Sequence, residues 1–381
     1  MMKIEKLEVH AIAVDLGRWY WVSRFPVRTA SELIVKITTS DGVTGLGVVH
    51  GRAQKEIVGI LQAIAPEIIG MDALAHEAVW WKIFSLTTTR QGFELERRTG
   101  TPLGESKRDQ ILAALAGIDI ALWDIKGKSV GLPVWRLLGG SNPEVFAYAT
   151  GGYYFDQGEP VESVYDEVSS YVAAGFKAVK IKVGGVSIDE DVKRVREARQ
   201  ALGSHALMLD ANCAYDIETA TKAIRAFEPF DIFWFEEPLQ WFDSIRGLGR
   251  LANRTTVPLA SGESELSSWA CRDLIDLGGV RYMQFDATKR GGITEWLRIA
   301  SYCQMNGVWL APHHDPQIHG HLVAASANGF GVETFTRSDR DPLWEGLFTK
   351  RPEIRDGMMY LTEEPGFGVD INWDYVKHHA Q

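Results

Sequence analysis

The sequence is poor in cysteine and has no long hydrophobic run. Its 381 residues include three widely spaced cysteines, Cys213, Cys271 and Cys303. This spacing excludes a disulfide framework and a paired-cysteine zinc site, and it is typical of a reducing compartment. The most apolar long window, residues 111–123, is interrupted by Asp119 and is too short to span a bilayer. The N-terminal residues lack the apolar core of a signal peptide, so we expect a cytoplasmic protein with no membrane partner.

Basic residues are also in deficit. The chain has 40 Lys and Arg against 50 Asp and Glu, which gives a formal net charge of −10. An acidic surface is unsuited to nucleic acid or an anionic membrane, so neither is expected as a partner. Hydrophobic residues make up 45% and charged residues 24%, a globular composition that excludes wholesale disorder. At the usual ~100–200 residues per domain, the length predicts two domains.

The first ~120 residues are predicted to form an α+β unit, because strand-like segments precede helical ones. The predicted strands are Lys3–Val14, Glu32–Thr39 and Val43–Val49, with a hairpin turn at residues 40–42. The predicted helices are Lys55–Ile69 and Arg108–Lys126.

From residue 145 onward, short apolar runs alternate with helical segments, which indicates βα units around a parallel sheet. The predicted strands are Val145–Thr150, Ala178–Val183, Ala206–Leu209, Ile232–Phe235, Pro258–Ala260, Tyr282–Phe285, Val308–Leu310 and Asn328–Val332. Eight strands with crossover helices predict an α/β fold built on a TIM-like barrel. A doubly wound open sheet is the alternative, but no GxGxxG opens a helix after the first strand. Phe367–Ile371 is expected to return as a strand to the first domain.

An ionisable residue follows or ends almost every predicted barrel strand. These residues are Lys182, Asp210, Glu236, Glu263, Asp286, His313 and Glu333, separated by 28, 26, 27, 23, 27 and 20 residues. Each step is about one βα unit long. Because active sites of such barrels lie at the carboxyl ends of the strands, we expect these side chains to converge there.

Lys180 and Lys182 share one face of their strand, since successive residues point to opposite faces. That face is the barrel interior, where an unpaired ammonium is costly. A solvated pair on an edge strand is the alternative. Two neighbouring ammonium groups should depress each other's pKa, which a lysine base near neutral pH requires.

Asp210, Glu236 and Glu263 come from three consecutive strands. Three converging carboxylates suit a hard divalent cation, and Mg²⁺ is the expected one. Asn212 lies two residues beyond Asp210 and can reach the same cation or its water. Spacing does not separate Glu236 from Glu237, so either can be the inward-facing ligand.

Asp286 and His313 come from adjacent strands and can form a pair that orients and charges the imidazole. His314 is expected to point the other way. A structural histidine is the alternative for His313, and only its position at a strand end argues against it.

These motifs together resemble the enolase superfamily, specifically its mandelate racemase subgroup. They are KIK at 180–182, DAN at 210–212, FEEP at 235–238, GE at 262–263, the Asp286/His313 pair and Glu333. The resemblance implies a modified TIM barrel, (β/α)7β, at 126–350, with an α+β capping domain at 1–125 completed by a C-terminal segment at 351–381. It also implies a homo-oligomer, since relatives are commonly multimeric.

The same resemblance implies the roles of the site residues. Asp210, Glu236 and Glu263 would bind Mg²⁺. Lys182, assisted by Lys180, would be one base, and His313 with Asp286 would be a second acid/base on the opposite face of the substrate. Glu333 would hydrogen-bond an oxygen of the substrate carboxylate.

The substrate-binding residues are expected in two loops of the capping domain. They are Trp19, Tyr20 and Arg24, beside Trp21, in the first loop and His50 and Arg52 in the second, together with Asn212 from the barrel. Aromatic and basic groups suit a polyhydroxylated acid or an aryl hydroxy acid, while packing within the cap is the alternative. Lys289 and Arg290, after Asp286, can reach a distal polar group of the substrate, but a solvated pair is the favoured interpretation.

The expected function is Mg²⁺-dependent removal of the proton α to a carboxylate, leading to dehydration of an acid sugar to a 2-keto-3-deoxy acid. The choice of dehydration rests on the number of such enzymes in the subgroup that the chain resembles. The alternatives are a racemase or epimerase of a 2-hydroxy acid, a sugar-lactone cycloisomerase, and a non-catalytic sugar-acid binder. Two opposed bases argue against the binder, which has no need of them.

Overall fold

The computed structural model describes residues 2–51, 54–155 and 163–381. The chain begins with a three-stranded antiparallel sheet in the order β1-β2-β3. Its strands are β1 (Ile4–Trp21), β2 (Pro26–Thr39) and β3 (Thr44–His50). The turn at residues 40–42 joins β2 to β3 as predicted, and Gly42 adopts a φ of 86° there. β1 extends seven residues beyond the predicted end at Val14, because it stays paired with β2 as far as Trp21 opposite Pro26.

Five α-helices follow this sheet within the described residues 54–155. They are α1 (Gln54–Ile68), α2 (His76–Phe84), α3 (Thr89–Thr99), α4 (Arg108–Val130) and α5 (Val134–Leu137). Both predicted helices are confirmed as α1 and α4. The backbones of α4 and β3 approach closely: a Cβ at Gly47 would lie 1.9 Å from the carbonyl oxygen of Gly117. Glycine at position 47 therefore allows α4 to pack directly onto the sheet.

The described residues from 144 to 334 form a closed barrel of eight parallel strands. The strands are β4 (Glu144–Gly151), β5 (Ala178–Lys182), β6 (Ala206–Asp210), β7 (Ile232–Glu236), β8 (Leu259–Ser261), β9 (Tyr282–Met283), β10 (Trp309–Leu310) and β11 (Val332–Thr334). Sequential strands pair from β4 to β10, β11 pairs with β4, and a parallel bridge joins Leu310 to Gly329. The eighth strand lies slightly later than the predicted segment Asn328–Val332.

In the part of the chain that the structure describes, seven α-helices lie between these strands, which makes the predicted (β/α)7β barrel. They are α6 (Val164–Ala173), α7 (Ile188–Leu202), α8 (Ile217–Phe227), α9 (Ser244–Ala252), α10 (Ser268–Asp276), α11 (Gly292–Met305) and α12 (Pro316–Ala324). Apolar strand residues such as Val179 and Ile181 pack beneath the helices. A smaller apolar layer fills the barrel interior below the site and contains Tyr148, Met208 and Trp234.

The last 40 residues contact both the barrel and the first sheet: Met358–Tyr360 pairs with β4, while Leu347 and Ile371 pack with Ile12 and Ile34 of the first sheet. Their elements are α13 (Pro342–Gly346), β12 (Phe348–Lys350), β13 (Glu353–Arg355), β14 (Met358–Tyr360), β15 (Asp370–Ile371) and α14 (Trp373–His378). The predicted strand Phe367–Ile371 is shortened to β15, which pairs with β12. The direct backbone contact with β1 is made further on, where Gln381 N donates to Ala11 O at 3.0 Å. Within the described residues, no helix combines the length and apolar character needed to cross a bilayer.

Candidate active site

The predicted strand-end residues converge at the carboxyl end of the barrel. We call this set the barrel mouth, and it comprises Lys180, Lys182, Asp210, Glu236, Glu263, Asp286, His313 and Glu333. Most of these side chains are fully buried, so each charge needs a partner within the set or in a ligand. A cavity of about 400 Å³ opens beside them and is lined by Lys182, Glu263, His313 and Glu333, among others.

Both lysines are paired with carboxylates. Lys180 Nζ lies 2.6 Å from Glu236 Oε1 and 2.8 Å from Glu333 Oε1, and Lys182 Nζ contacts Asp210 Oδ2. Burial alone would lower the pKa of each lysine, but these carboxylates outweigh it and the pKa of both lies above the usual value. The expected depression of the lysine pKa values is therefore wrong for this arrangement, because acids lie closer to each ammonium than the second ammonium does.

Each of the three predicted metal ligands is held by a basic side chain. Asp210 pairs with Lys182 and Glu236 with Lys180, while Glu263 lies 3.4 Å from His313 Nε2 and 3.6 Å from Lys289 Nζ. Burial raises the pKa of Glu236 to about 8. Burial also acts to raise the pKa of Glu263, but His313 and the nearby lysines lower it to about 2.

Asp210 and Glu236 lie side by side on neighbouring strands, since they are paired in the β6–β7 register, and Glu263 follows β8, the next strand. Asn212 donates from its backbone N to Asp210 Oδ1 at 2.8 Å, and its buried Oδ1 has no hydrogen-bond partner among the described residues. Three carboxylates and an amide oxygen are the donors that Mg²⁺ prefers. The donor types therefore fit such a cation. Among the described residues, however, Asp210, Glu236 and Glu263 do not bring their oxygens within 4.8 Å of one another, and they must exchange their lysine and histidine partners to bind one.

Glu236 and Glu237 differ in direction. Glu236 points into the barrel, where it also accepts from Gln284 Nε2 at 2.5 Å. Glu237 adopts a φ of 37° and turns toward Cys213, whose Sγ lies 3.4 Å from Glu237 Oε2. Burial, together with the carboxylates of Glu263 and Asp210, raises the pKa of Glu237 well above its usual value.

His313 and Asp286 form the expected pair. His313 Nδ1 lies 2.8 Å from Asp286 Oδ2, while Asp286 Oδ1 accepts from Thr288 Oγ1 at 2.6 Å. Burial would raise the pKa of Asp286, but His313, His319 and Lys289 hold it well below the usual range. An ionised Asp286 favours the proton on Nδ1 and leaves His313 Nε2 directed toward Glu263 and the cavity.

Glu333 is held as a carboxylate. Its Oε1 accepts from Thr150 Oγ1 at 2.6 Å and lies beside Lys180, and its Oε2 accepts from the backbone N of His314 at 3.2 Å. Burial acts to raise its pKa, but Lys180 and other cations lower it. A hydrogen bond donated by Glu333 to a substrate therefore requires a proton that this arrangement leaves on Lys180.

The predicted substrate-binding residues are only partly brought together. Tyr20, His50 and Asn212 line the cavity. Trp19 and Arg24 are not among its described lining residues: Trp19 is 49% exposed, and Arg24 Nη1 donates to Cys213 O at 3.2 Å. Trp19 and Tyr20 belong to β1 and not to a loop, so they point to opposite sides. Arg52 lies outside the described residues.

Several lining residues were not predicted. Tyr153 follows β4, the one barrel strand for which no strand-end residue was proposed, so strand position could have found it. Lys289 lines the cavity and is not the solvated residue expected, whereas Arg290 pairs with Asp109 at 2.7 Å. Arg340 also lines the cavity but lies in an irregular segment after β11, where no sequence period marks it.

His314 faces the cavity as well, contrary to the expectation that it points away. In the part of the chain that the structure describes, His50, His314 and Asp315 form the group of possible ligands whose atoms lie within 4.8 Å of one another. The rings of His50 and His314 are tilted toward each other at 4.0 Å. Burial acts to lower the pKa of His314, but the Asp315 carboxylate outweighs burial and raises this pKa to about 9. The group is therefore a network of an acid and imidazoles behind His313.

Comparisons with known proteins agree with this geometry. Residues 9–139 match the mandelate racemase/muconate lactonizing enzyme N-terminal domain, and residues 163–375 match the enolase C-terminal domain-like family. The chain is 32% identical over 343 residues to arabinonate dehydratase of Saccharolobus solfataricus, covering 88% of this chain and 87% of that one. It is 30% identical over 366 residues to 3,6-anhydro-alpha-L-galactonate cycloisomerase of Streptomyces coelicolor, covering 90% of each.

A solved structure with the same fold agrees with these sequence matches. L-talarate/galactarate dehydratase from Salmonella typhimurium, crystallised with Mg and L-lyxarohydroxamate, superposes with a TM-score of 0.87 at 29% identity, covering 100% of this chain and 93% of that one. The two matched domains, the (β/α)7β barrel and the charged barrel mouth together lead to one conclusion: this chain belongs to the mandelate racemase/muconate lactonizing enzyme family of the enolase superfamily.

Proposed function

We propose that this chain is a Mg²⁺-dependent acid-sugar dehydratase, which removes the proton α to a carboxylate and expels a β-hydroxyl to give a 2-keto-3-deoxy acid. The observation that carries the proposal is that Lys182 and the Asp286-oriented His313 line one cavity. Dehydratases among the relatives, including one crystallised with Mg and an acid-sugar hydroxamate, support the same choice.

Asp210, Glu236 and Glu263 are the residues that would hold the cation, with Asn212 nearby. When bound there, Mg²⁺ would supply positive charge that offsets these carboxylates and stabilises the negative charge that develops on the substrate carboxylate. Lys180, wedged between Glu236 and Glu333, keeps a second positive charge beside that position.

Lys182 Nζ acts as the base on one face of the substrate once it has given up its contact with Asp210, because that contact keeps it protonated. His313 Nε2 acts on the other face and gives a proton to the departing β-hydroxyl, which leaves as water. The resulting enol tautomerises to the 2-keto acid. Asp286 holds the imidazole and stabilises its positive charge before the proton is given up.

The experiment is a screen of acid sugars for keto-acid formation, followed by NMR in D₂O. We expect a 2-keto-3-deoxy product, loss of turnover in EDTA and recovery with Mg²⁺. Full activity of the metal-free protein would contradict the ligand assignment. Inverted configuration without a keto product would identify a racemase or epimerase, and ring opening or isomerisation of a lactone would identify a cycloisomerase.

We also propose that the protein is cytoplasmic and homo-oligomeric. Its three cysteines are free thiols, which suits a reducing compartment. Trp241 and Phe242 form an adjacent pair of largely exposed aromatic side chains, a feature that favours contact with another chain. Light scattering coupled to gel filtration tests this, and a single-chain mass would contradict it.

A further inference from the structure

Arg340 is a buried cation in the cavity wall. Arg340 is 5% exposed and lines the same cavity as Lys182 and His313. Three aromatic rings surround its guanidinium: Cζ lies 4.7 Å from the centroid of Tyr20, 4.8 Å from Tyr153 and 4.6 Å from Phe155. We call Arg340 and these three rings the arginine sleeve.

Arg340 makes no ion pair within 4.0 Å among the described residues, and its buried Nε has no hydrogen-bond partner there. The neighbouring acid Asp339 is paired with Arg337 at 3.1 Å. Asp341 also lines the cavity, but its Oδ1 caps Trp344 N at 3.2 Å, and burial raises its pKa. A desolvated charge without an acid is costly, and cation–π contacts offset only part of that cost.

We propose that Arg340 binds a second carboxylate at the far end of the substrate, so that the preferred substrate is a dicarboxylic acid sugar. This rests on the proposed function, in which the first carboxylate lies at the barrel mouth. The rings hold the guanidinium plane in place, and a planar fork matches a carboxylate through two parallel hydrogen bonds.

The distance between the two ends limits the length of the substrate. Lys182 Nζ lies 5.7 Å and Arg340 Cζ 4.8 Å from the same Tyr153 centroid, so these atoms are at most 10.5 Å apart. A base lies about 3–3.5 Å from the carbon that it deprotonates. Along an extended carbon chain, two carbon–carbon bonds of about 1.5 Å each span roughly 2.5 Å. With a charge-assisted contact of about 2.8 Å at the far end, at most about 4.4 Å of chain remains when these lengths lie in line. A four-carbon diacid therefore fits extended, and diacids of five or six carbons fit with a bent chain or with the base approaching from the side.

The test compares acids that differ only at the far end. Galactarate and glucarate are the diacids, galactonate and gluconate are the matched monoacids, and 6-phosphogluconate carries a phosphate there instead. We expect wild type to prefer a diacid. Arg340→Met should lower kcat/KM for that diacid by about 10²-fold, mainly through KM. It should lower kcat/KM for the monoacids much less, because they carry no second carboxylate for Arg340 to bind. Arg340→Lys should give a loss between those of wild type and Arg340→Met.

Melting temperature and circular dichroism establish that the variants fold. Equal losses on diacids and monoacids would overturn the proposal, because they would mean that the sleeve only holds the wall together. Turnover of monoacids alone, or preference for 6-phosphogluconate, would also overturn it and would leave the proposed function standing.

Calorimetric binding of galactarate and gluconate in Mg²⁺ separates the two proposals. If no acid turned over but Arg340→Met weakened binding of galactarate alone, the proposed function would fail and the second-carboxylate site would stand. If neither acid bound to wild type, the second-carboxylate site would be wrong as well.

Discussion

The barrel mouth and the arginine sleeve face one cavity but handle charge in opposite ways. At the barrel mouth every cation touches an acid: Lys180 lies between Glu236 and Glu333, Lys182 contacts Asp210, and His313 contacts Asp286. In the sleeve one guanidinium is covered by aromatic rings and makes no ion pair with an acid of the described residues. The first region is arranged to move protons and offset charge, and the second is arranged to receive an anion.

This difference predicts that substitutions at the barrel mouth change the chemical step. Lys182→Ala should lower kcat by about 10²–10⁴-fold, since a positioned base contributes that much. It should also abolish exchange of the α-proton with D₂O for one substrate configuration, measured by NMR. Undiminished exchange would show that Lys182 is not a base. The claim that the barrel mouth, and not the sleeve, performs the chemical step would then fail.

His313→Asn is the complementary test on the opposite face. Dehydration should fall by about 10²-fold or more, because the leaving hydroxyl loses its proton donor. Exchange on the Lys182 side should survive, since Lys182 and Asp210 are untouched. Normal turnover by this variant would make the pair of His313 and Asp286 structural.

The barrel mouth could be predicted from the sequence because its members recur about once per βα unit. That spacing does not predict which acidic side chain contacts each basic one. For this reason Lys182 was expected to have a depressed pKa, whereas its contact with Asp210 raises it. Contacts between residues 28 positions apart depend on rotamers and on strand register.

The arginine sleeve could not be predicted from the sequence, for a different physical reason. The sequence pattern predicts that β1 ends at Val14, and it therefore places Trp19 and Tyr20 together in a loop. Their true location in a strand sends them to opposite sides. Arg340 follows β11 in an irregular segment, and only the folded chain brings it against Tyr20 from the first sheet and Tyr153 from the barrel.

The two regions face each other because α4 of the first domain is fixed to α11 of the barrel. The buried Asp119 on α4 accepts from Thr294 N at 2.9 Å and from Thr294 Oγ1 at 2.6 Å. Burial raises the pKa of Asp119 to about 7, although these hydrogen bonds oppose the shift. The folded state therefore binds this proton more tightly than the unfolded state, in which the pKa is about 3.9.

It follows that the contribution of Asp119 to stability is greatest below about pH 4 and is lost as the pH rises through about 7, with a limiting slope near 1.4 kcal/mol per pH unit. Asp119→Asn should flatten the dependence of unfolding free energy on pH in this window, measured by urea denaturation. Asp374→Asn, whose side chain is 95% exposed in wild type, is the control. An unchanged slope in Asp119→Asn would show that this carboxyl is ionised throughout.

The smallest expected effect separates two adjacent residues of β1. Tyr20 is 7% exposed, and its ring lies 4.4 Å from that of Tyr153, whereas Trp19 is 49% exposed with the Arg28 guanidinium 4.2 Å from its ring. Trp19→Ala should change KM by less than about two-fold, as substitutions of exposed residues usually do. Tyr20→Ala should raise KM by about ten-fold, since it removes one ring from around Arg340 and costs about 1.4 kcal/mol of binding. Equal effects on KM would mean that strand alternation in β1 does not determine which side chain contacts the substrate. The sleeve would then not be a separate substrate-binding surface.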